Sequence, residues 1–313
     1  MKFPVFDLHC DTANNLITHE SVKPSELRKN NAHIDLERAG ELGGYAQCFA
    51  CFTTPSTKAN PVDMFEKKLA AIHRELAKNS DMIRQAYTAD EIQDNNKNGI
   101  MSAILTIEGP AGFGFDPELL EDLYKVGFRI SSLGWNEQNV LTGSNITGGG
   151  LTDLGREYVK EAQRLGMIID VSHISDEGFW DIVDITNAPI IATHSNSRTI
   201  CPHNRNLTDE MFLAICKTGG VAGLNLFPGF LGENADLDTA CDHVLHFMEL
   251  DPDGKHIALG GDLDGIDRLP VGFTGIQDYN LLVQRMLARG LSEGIVYDIF
   301  WNNAMGVMKR CCI

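Results

Sequence analysis

Histidine and acidic side chains follow short apolar segments that are spread along the whole sequence. The first are His9 and Asp11, directly after the apolar-rich run over residues 3–8. In an extended strand, side chains at positions i and i+2 point the same way, so this imidazole and this carboxylate are presented together. Later segments of the same kind are followed by Glu108, His173, His194, Asp262 and Asp264. If these segment ends meet in space, their side chains would form a site for divalent metal ions.

The types of side chain indicate which metal the site would hold. Imidazoles with carboxylates, and no cysteine, favour zinc over magnesium or an iron–sulfur centre. Three histidines and two carboxylates are too many for one open catalytic zinc, so we expect two ions. The expected arrangement places His9, Asp11 and Glu108 on one ion and Glu108, His173 and His194 on the other. A water shared by the two ions would lose its proton near neutral pH and become a nucleophile.

Asp262 is the remaining acid, and we expect it to act as a general acid and base. Hydrolysis of an amide needs a proton to be taken from water and given to the departing nitrogen. One carboxylate close to the metal ions can do both in turn.

The elements that would position these residues alternate between strands and helices. Strands are predicted over residues 3–8, 44–52, 100–107, 128–133, 167–171, 189–193, 220–226 and 256–261. Helices are predicted over 61–77, 89–97, 117–125, 153–165, 176–185, 209–217 and 237–250, with closing helices over 279–289 and 293–309. This pattern predicts a single α/β domain over residues 1–313, a (β/α)8 TIM barrel, whose strand ends form the active face. A doubly wound sheet is the alternative and explains eight strands less well.

Composition excludes several classes of partner. A formal net charge of −17 argues against nucleic acid and against an anionic membrane surface, both of which need clustered Lys and Arg. No apolar run is long enough to span a bilayer, and the first strand starts too early for a secretory signal. The eight cysteines are expected to be free thiols, and Cys48 and Cys51 would face opposite sides of a strand. We therefore expect a cytoplasmic protein that binds neither nucleic acid nor membranes.

A resemblance to a known family rests on an ordered set of short motifs. They are His9-x-Asp11, Ile-Glu108-Gly, Asp170-x-Ser-His173, Thr-His194-Ser, Asn204-Arg205-Asn206-Leu207-x-Asp209 and Gly-Gly-Asp262-x-Asp264-Gly265. Together they resemble the renal, or membrane, dipeptidase family, the M19 metallopeptidases of the amidohydrolase superfamily. The resemblance runs from residue 9 to the closing helices.

The resemblance implies a function for most of these residues. It implies two zinc ions held by the five ligands above with Glu108 as the bridge, and Asp262 as the acid and base. Arg205 would hold the carboxylate of a small dipeptide, because a guanidinium matches a carboxylate bidentately. Asp264 is predicted to contact substrate, with capping of the turn after the last strand as the alternative. The family also implies a homodimer and activity on dipeptides whose C-terminal residue is a D-amino acid.

The sequence departs from the family at two predicted substrate contacts. Trp135 stands where many members have a histidine, and Phe230 where the mammalian enzymes have an aromatic hydroxyl. The metal chemistry would survive both changes, but the preference among dipeptides would differ. The Gly-rich segment 144–150 lacks the Gly-Lys-Ser/Thr of a phosphate-binding loop and is predicted to be a mobile loop over the barrel mouth.

Two other functions are compatible with the residues. Another amidohydrolase reaction on a lactone, a phosphotriester or a nucleoside is one, although such enzymes usually begin with His-x-His and use a carboxylated lysine as the bridge. A non-catalytic barrel that keeps zinc for structure is the other. Dipeptide hydrolysis with Asp262 and Arg205 in the roles given above is the leading hypothesis.

Overall fold

Eight parallel strands surround the centre of the molecule, and their carboxyl ends carry the predicted site. The structure is a computed structural model that describes residues 2–17, 24–56 and 59–312. The described strands are β1 Val5–Cys10, β2 Tyr45–Phe52, β3 Ile83–Gln85, β4 Met101–Glu108, β5 Phe128–Ser132, β6 Thr142–Ser144, β7 Gly148–Leu151, β8 Ile168–Asp170, β9 Ile190–Ile191, β10 Ala222–Leu224 and β11 Ile257–Leu259.

The order of the strands closes a barrel. The main sheet runs β10-β11-β1-β2-β4-β5-β8-β9, with every neighbouring pair parallel. Ala192, directly after β9, forms a parallel bridge with Ala222 of β10 and so joins the two edges. The prediction of a (β/α)8 barrel is confirmed, and the doubly wound alternative, which would have open edges, is wrong.

Helices cover the outside of the barrel between successive strands. Their bounds are α1 Thr12–Asn15, α2 Leu36–Ala39, α3 Pro61–Lys78, α4 Ala89–Lys97, α5 Leu120–Val126, α6 Asp153–Leu165, α7 Asp176–Ile185, α8 Asp209–Thr218, α9 Pro228–Leu231, α10 Leu237–Leu250, α11 Tyr279–Ala288, α12 Glu293–Tyr297 and α13 Asn303–Cys311. Short 3-10 turns lie at Pro110–Phe113, Pro117–Leu119 and Ile276–Asp278. Several helices begin where a Ser, Thr or Asp side chain accepts a hydrogen bond from a free backbone N–H of the first turn, as Thr208 does for α8.

Alternate residues of the strands serve two different cores. On β2, Ala46 and Cys48 belong to a cluster inside the barrel, whereas Tyr45, Phe49 and Cys51 pack toward the helices. The two thiols of the Cys-x-x-Cys segment therefore face opposite sides of the strand, as predicted.

The C-terminal residues seal the end of the barrel away from the site. Trp301 packs on Phe6 near the start of β1, with ring centroids 5.9 Å apart. Asn303 donates to the carbonyls of Gly254 and Ile257, at the start of β11. The barrel is therefore open only at its opposite end, where the strands finish.

Three features differ from the sequence-based expectations. The Gly-rich segment is not an irregular loop, because β6 and β7 pair as an antiparallel hairpin there. A ninth strand, β3, is too short and too polar to show periodicity, and it pairs with the start of β4. The last predicted helix is interrupted by a π-helical turn at Asp298–Asn302, which links α12 to α13.

Among the described residues, none of the helices combines the length and the apolar character that crossing a bilayer requires.

Replacing the aromatic plug at the closed end should destabilise the fold. Trp301 is only 6% exposed, so Trp301→Ala should lower the free energy of unfolding by about 3–5 kcal/mol. Trp180 is 40% exposed on α7, and Trp180→Ala should cost less than about 1 kcal/mol. Urea denaturation of both variants measures the two losses. Equal losses would show that Trp301 does not seal the core.

Candidate active site

The structure brings the six predicted metal-site and acid/base residues to one place. His9 and Glu108 are the last or near-last residues of β1 and β4, and Asp11 follows β1 directly. His173, His194 and Asp262 follow β8, β9 and β11 within three residues of each strand end. Because the strands are parallel, all these ends open on the same face of the barrel.

Glu108 lies at the centre of the cluster and faces two groups of ligands. Its Oε2 is 3.4 Å from Nε2 of His9, which in turn is 3.6 Å from Oδ2 of Asp11. Its Oε1 is 3.1 Å from Nε2 of His173 and 3.9 Å from Nε2 of His194. One carboxylate oxygen thus points at each predicted ion position, which is the arrangement of a bridging ligand.

The hydrogen bonds of His194 and His173 fix which ring nitrogen of each faces the site. Thr193 donates its hydroxyl proton to Asp170 at 2.6 Å, so its oxygen accepts from Nδ1 of His194 at 2.7 Å. Nδ1 of His173 donates to the side-chain carbonyl of Asn136 at 2.8 Å. Both Nε2 atoms are therefore unprotonated acceptors, as metal-binding imidazoles require.

These two acceptors lie only 3.0 Å apart, which a metal ion would explain. Two lone pairs that face each other repel unless a cation lies between them. Two imidazoles on one tetrahedral zinc would separate their nitrogens by about 3.3 Å. Nε2 of His9 and Oε2 of Glu108 are also buried and lack a hydrogen-bond partner. The donor set therefore fits divalent ions in both type and arrangement.

The pKa shifts of the predicted ligands also fit a site for divalent cations. Burial, helped by Arg205, lowers the pKa of His173 to about 3, and burial with His9 lowers that of His194 well below its usual range. Burial opposes ionisation of Glu108, but His9 and His173 outweigh it and hold its pKa below the ordinary value. Burial alone would lower the pKa of His9, yet Glu108 and Asp11 raise it well above its usual range, so this position favours positive charge.

Asp262 lies beside the first group of ligands. Its Oδ1 is 3.8 Å from Nε2 of His9, and its Oδ2 accepts a hydrogen bond from Asn225 at 3.1 Å. Burial raises its pKa to about 7, with a further rise from Asp11 and Glu108 that His9 and Arg205 oppose. A carboxyl group that titrates near neutrality can both accept and donate a proton. Asp262, His9 and Asp11 also lie close enough to share one ion.

The backbone is strained at three residues of this face. His173, Asp262 and Asp264 have φ values of 69°, 57° and 67°, a region that non-glycine residues rarely occupy. Such strain persists only where the surroundings enforce it, and it clusters at functional sites. Gly265 is required by the same crowding, since a side chain there would overlap Asp11 and Asp262.

A cavity of about 390 Å³ opens above the cluster. Trp135 forms part of its wall and packs edge-on against Phe52, with centroids 5.2 Å apart, and beside His173. Phe230 and Phe227 form the opposite aromatic edge. Trp135 and Phe230, the two positions at which the sequence departs from the family, therefore both line the cavity over the predicted metal ligands.

Asp264 also lines this cavity, but its carboxylate is held by the protein. One oxygen accepts from the Thr12 hydroxyl at 2.7 Å and the other from the His33 backbone N–H at 2.7 Å. The carboxylate therefore bonds two segments that are distant in the sequence rather than the turn after β11, and contact of Asp264 with substrate stays a prediction.

Arg205 lies in the wall of a second cavity of about 560 Å³. Its guanidinium donates to Ser195 Oγ at 2.9 Å and to the carbonyl of His194 at 3.1 Å, and its buried Nε has no partner. Asn136 and Phe230 line both cavities, so the two adjoin. The hairpin formed by β6 and β7 borders the second cavity through Asn145 and Ile146.

Sequence reasoning missed the residues that orient the ligands. Asn136 holds His173, Thr193 holds His194, and Asn225 holds Asp262. Thr193 directly precedes His194 in the sequence, and this adjacency could have indicated that Thr193 orients the imidazole. Asn136 and Asn225 follow strands at the same face, but an amide after a strand is too common to indicate a role by itself.

Comparisons with known proteins agree with this geometry. A family model described as membrane dipeptidase (peptidase family M19) matches residues 1–311. An uncharacterised dipeptidase of Schizosaccharomyces pombe is 34% identical over 216 residues, which cover 67% of this chain. The match spans about half, 53%, of that relative's length.

Two solved structures are similar over nearly the whole chain. One is a metallopeptidase from Rhodobacter sphaeroides liganded with a phosphinate mimic of the dipeptide L-Ala-D-Ala, with a TM-score of 0.87 and 25% identity over 99% of this chain and 100% of that one. The other is the dipeptidase AC, a family M19 metallopeptidase, with a TM-score of 0.87 and 26% identity over 100% of this chain and 99% of that one.

Removing the amide that orients His173 should weaken metal binding. In Asn136→Ala the imidazole loses the acceptor that fixes its tautomer, so zinc affinity should fall roughly 10–100-fold at one of the two positions. Asn145→Ala is the control, because its side chain lines the second cavity without bonding a ligand. Competition against a chromophoric chelator measures both affinities. Unchanged zinc affinity in Asn136→Ala would contradict this role.

Proposed function

The chain belongs to the membrane dipeptidase family, peptidase family M19, and on that premise we propose that it is a zinc-dependent dipeptidase. Its reaction would be hydrolysis of the single peptide bond of small dipeptides. The observation that carries this proposal is the position of Glu108, with one oxygen toward His9 and the other toward His173 and His194. A bridging carboxylate supports a site for two ions rather than one.

The predicted ligands are grouped as two sets that share Glu108. His9 and Asp11 would hold one zinc ion, and His173 and His194 the other. Zinc ions in such a site polarise a carbonyl group and lower the pKa of water toward neutrality. The buried, preoriented imidazoles favour this use, because they do not have to reorganise before binding.

Asp262 would move the protons of the reaction. Its carboxylate accepts a proton from water and gives it to the departing amine, since an amide anion is a very poor leaving group. Burial, together with Asp11 and Glu108, raises its pKa to about 7. Positive charge near those two carboxylates would remove part of the rise and leave Asp262 readily ionised as a base. Asn225 keeps the carboxyl group directed at the site through its bond to Oδ2.

Arg205 would orient the substrate by its carboxylate. Two of its donors already bond Ser195 and His194, and the unpartnered Nε is available beside the second cavity. A dipeptide held there by its C-terminal carboxylate would extend past Asn136 and Phe230 toward the metal ligands. Trp135 and Phe230 would contact its side chains through aromatic surface. The dipeptide mimic bound by the Rhodobacter neighbour, L-Ala-D-Ala, supports including L,D-dipeptides among the substrates.

Location and assembly complete the proposal. We place the enzyme in the cytoplasm, which the eight free cysteines support, because a reducing compartment keeps thiols reduced. The homodimer implied by the family stays a prediction.

Asp262→Asn should separate metal binding from catalysis. The amide cannot take up a proton, so kcat should fall at least about 100-fold, while the protein still binds two zinc equivalents. Metal analysis together with a dipeptide assay of zinc-loaded protein measures both. Loss of one zinc equivalent would show that Asp262 is a metal ligand. Full activity of the variant would show that Asp262 is not the acid and base. Lactones and nucleosides in the same panel distinguish other amidohydrolase reactions.

Arg205→Lys should impair recognition of the substrate's carboxylate. The lysine keeps the charge but loses the bidentate geometry, so kcat/KM for a dipeptide should fall about tenfold or more. The matching dipeptide amide, which has no carboxylate, should be hydrolysed equally by both proteins. An equal loss of kcat/KM on both substrates would show that Arg205 instead stabilises the loop that carries His194.

A further inference from the structure

A fully buried carboxylate, Asp7, lies beneath the site and takes no part in the roles described so far. It is on β1, two residues before His9, and is completely shielded from solvent. It accepts hydrogen bonds from the His9 N–H at 2.9 Å, from the Gly261 N–H at 3.1 Å and from the hydroxyl of Tyr279. The Gln47 side-chain amide is a further donor, 3.5 Å from Oδ1, and together these donors fix the orientation of the carboxylate.

These bonds join the ends of β1 and β11. His9 is a predicted metal ligand on one strand end, and Gly261 directly precedes Asp262 on the other. One carboxylate therefore binds the backbone of both segments next to the place where His9 and Asp262 approach to 3.8 Å. The pairing of Asp7 with Leu259 precedes Asp262, and beyond it the Asp11 N–H donates to the Leu263 carbonyl at 3.0 Å. Asp7 therefore supplies the side-chain bond on the Gly261 side of Asp262.

Asp262 needs support from its neighbours, because its own backbone is strained. Its φ of 57° lies in the left-handed region. Its side chain has one hydrogen bond, from Asn225. Gly261 packs closely against Tyr279 and Asp7. A side chain at this position would overlap the Tyr279 hydroxyl and approach Oδ2 of Asp7 to 3.0 Å. Glycine, which has no side chain, is therefore the residue that permits this contact directly before Asp262.

We propose that Asp7 and Tyr279 are positioning residues that hold Asp262 in its reactive place through the backbone of Gly261. Tyr279 begins α11 and is fixed by edge-on packing on Phe273 and Phe300. Its hydroxyl anchors Oδ2 of Asp7, which leaves the carboxylate correctly turned toward Gly261. The proposal rests on the assignment of Asp262 as the acid and base.

Tyr279→Phe tests the proposal, with Tyr158→Phe as the matched control. Both tyrosines are fully buried, and within the described part of the chain the hydroxyl of Tyr158 bonds Ser131 of β5 and neither Asp7 nor Gly261. Each change removes one buried hydroxyl and keeps the ring, so both variants should fold and lose similar stability. Four values are measured: hydrogen exchange of the peptide covering residues 258–266 in the absence of substrate, the zinc content of the loaded enzyme, and its kcat and KM.

We expect Tyr279→Phe to speed exchange of that peptide at least fivefold and to lower kcat about tenfold, with KM and zinc content unchanged. Tyr158→Phe should leave all four values at the wild-type level. Unchanged exchange in Tyr279→Phe would overturn the proposal, as would faster exchange with an unchanged kcat. If the wild-type protein hydrolyses no dipeptide, the proposed function fails, and the exchange measurement still decides whether Tyr279 holds the Gly261 segment.

Discussion

The two oxygens of Glu108 impose the constraint on which this site depends. Asp11, Glu108 and Asp262 are crowded around His9 inside a barrel, where water cannot screen their repulsion. These carboxylates raise the pKa of His9 well above its usual range and, together with burial, that of Asp262 to about 7. Two divalent ions would relieve the repulsion and would use the facing nitrogens of His173 and His194.

The barrel supplies the rigidity that such a site needs. The five predicted ligands stand at the ends of four strands, β1, β4, β8 and β9, so the parallel sheet sets the separation of those ends before any ligand side chain makes a bond. A second layer of side chains then fixes the orientation of each ligand. Asn136 and Thr193 set the imidazole tautomers, and Asp170 accepts the proton of Thr193. Asp7 binds the backbone at both His9 and Gly261. These residues, two of them carboxylates, thus bond the side chains or the backbone of the predicted ligands, Asp170 through Thr193.

The sequence was most informative where chemistry and periodicity coincide. Nearly continuous apolar strands ending in His, Asp or Glu predicted both the barrel and the six residues that meet at its mouth. It was less informative where function depends on a polar residue of common type. Asn136 differs from other loop asparagines only by its bond to His173, and Asp7 reads as one polar residue within a buried strand. The hairpin of β6 and β7 was missed because glycine has no side chain to show alternation. The substrate pocket was only outlined, since the orientation of Trp135 and Phe230 depends on packing between distant segments.

The central claim is that Glu108 bridges two metal ions, and diffraction from zinc-loaded crystals at the zinc absorption edge tests it most directly. The account predicts two anomalous peaks about 3.5–4 Å apart, one beside His9 and Asp11 and one beside His173 and His194, with a Glu108 oxygen next to each. A single peak in the site, or two peaks of which only one contacts Glu108, would contradict it.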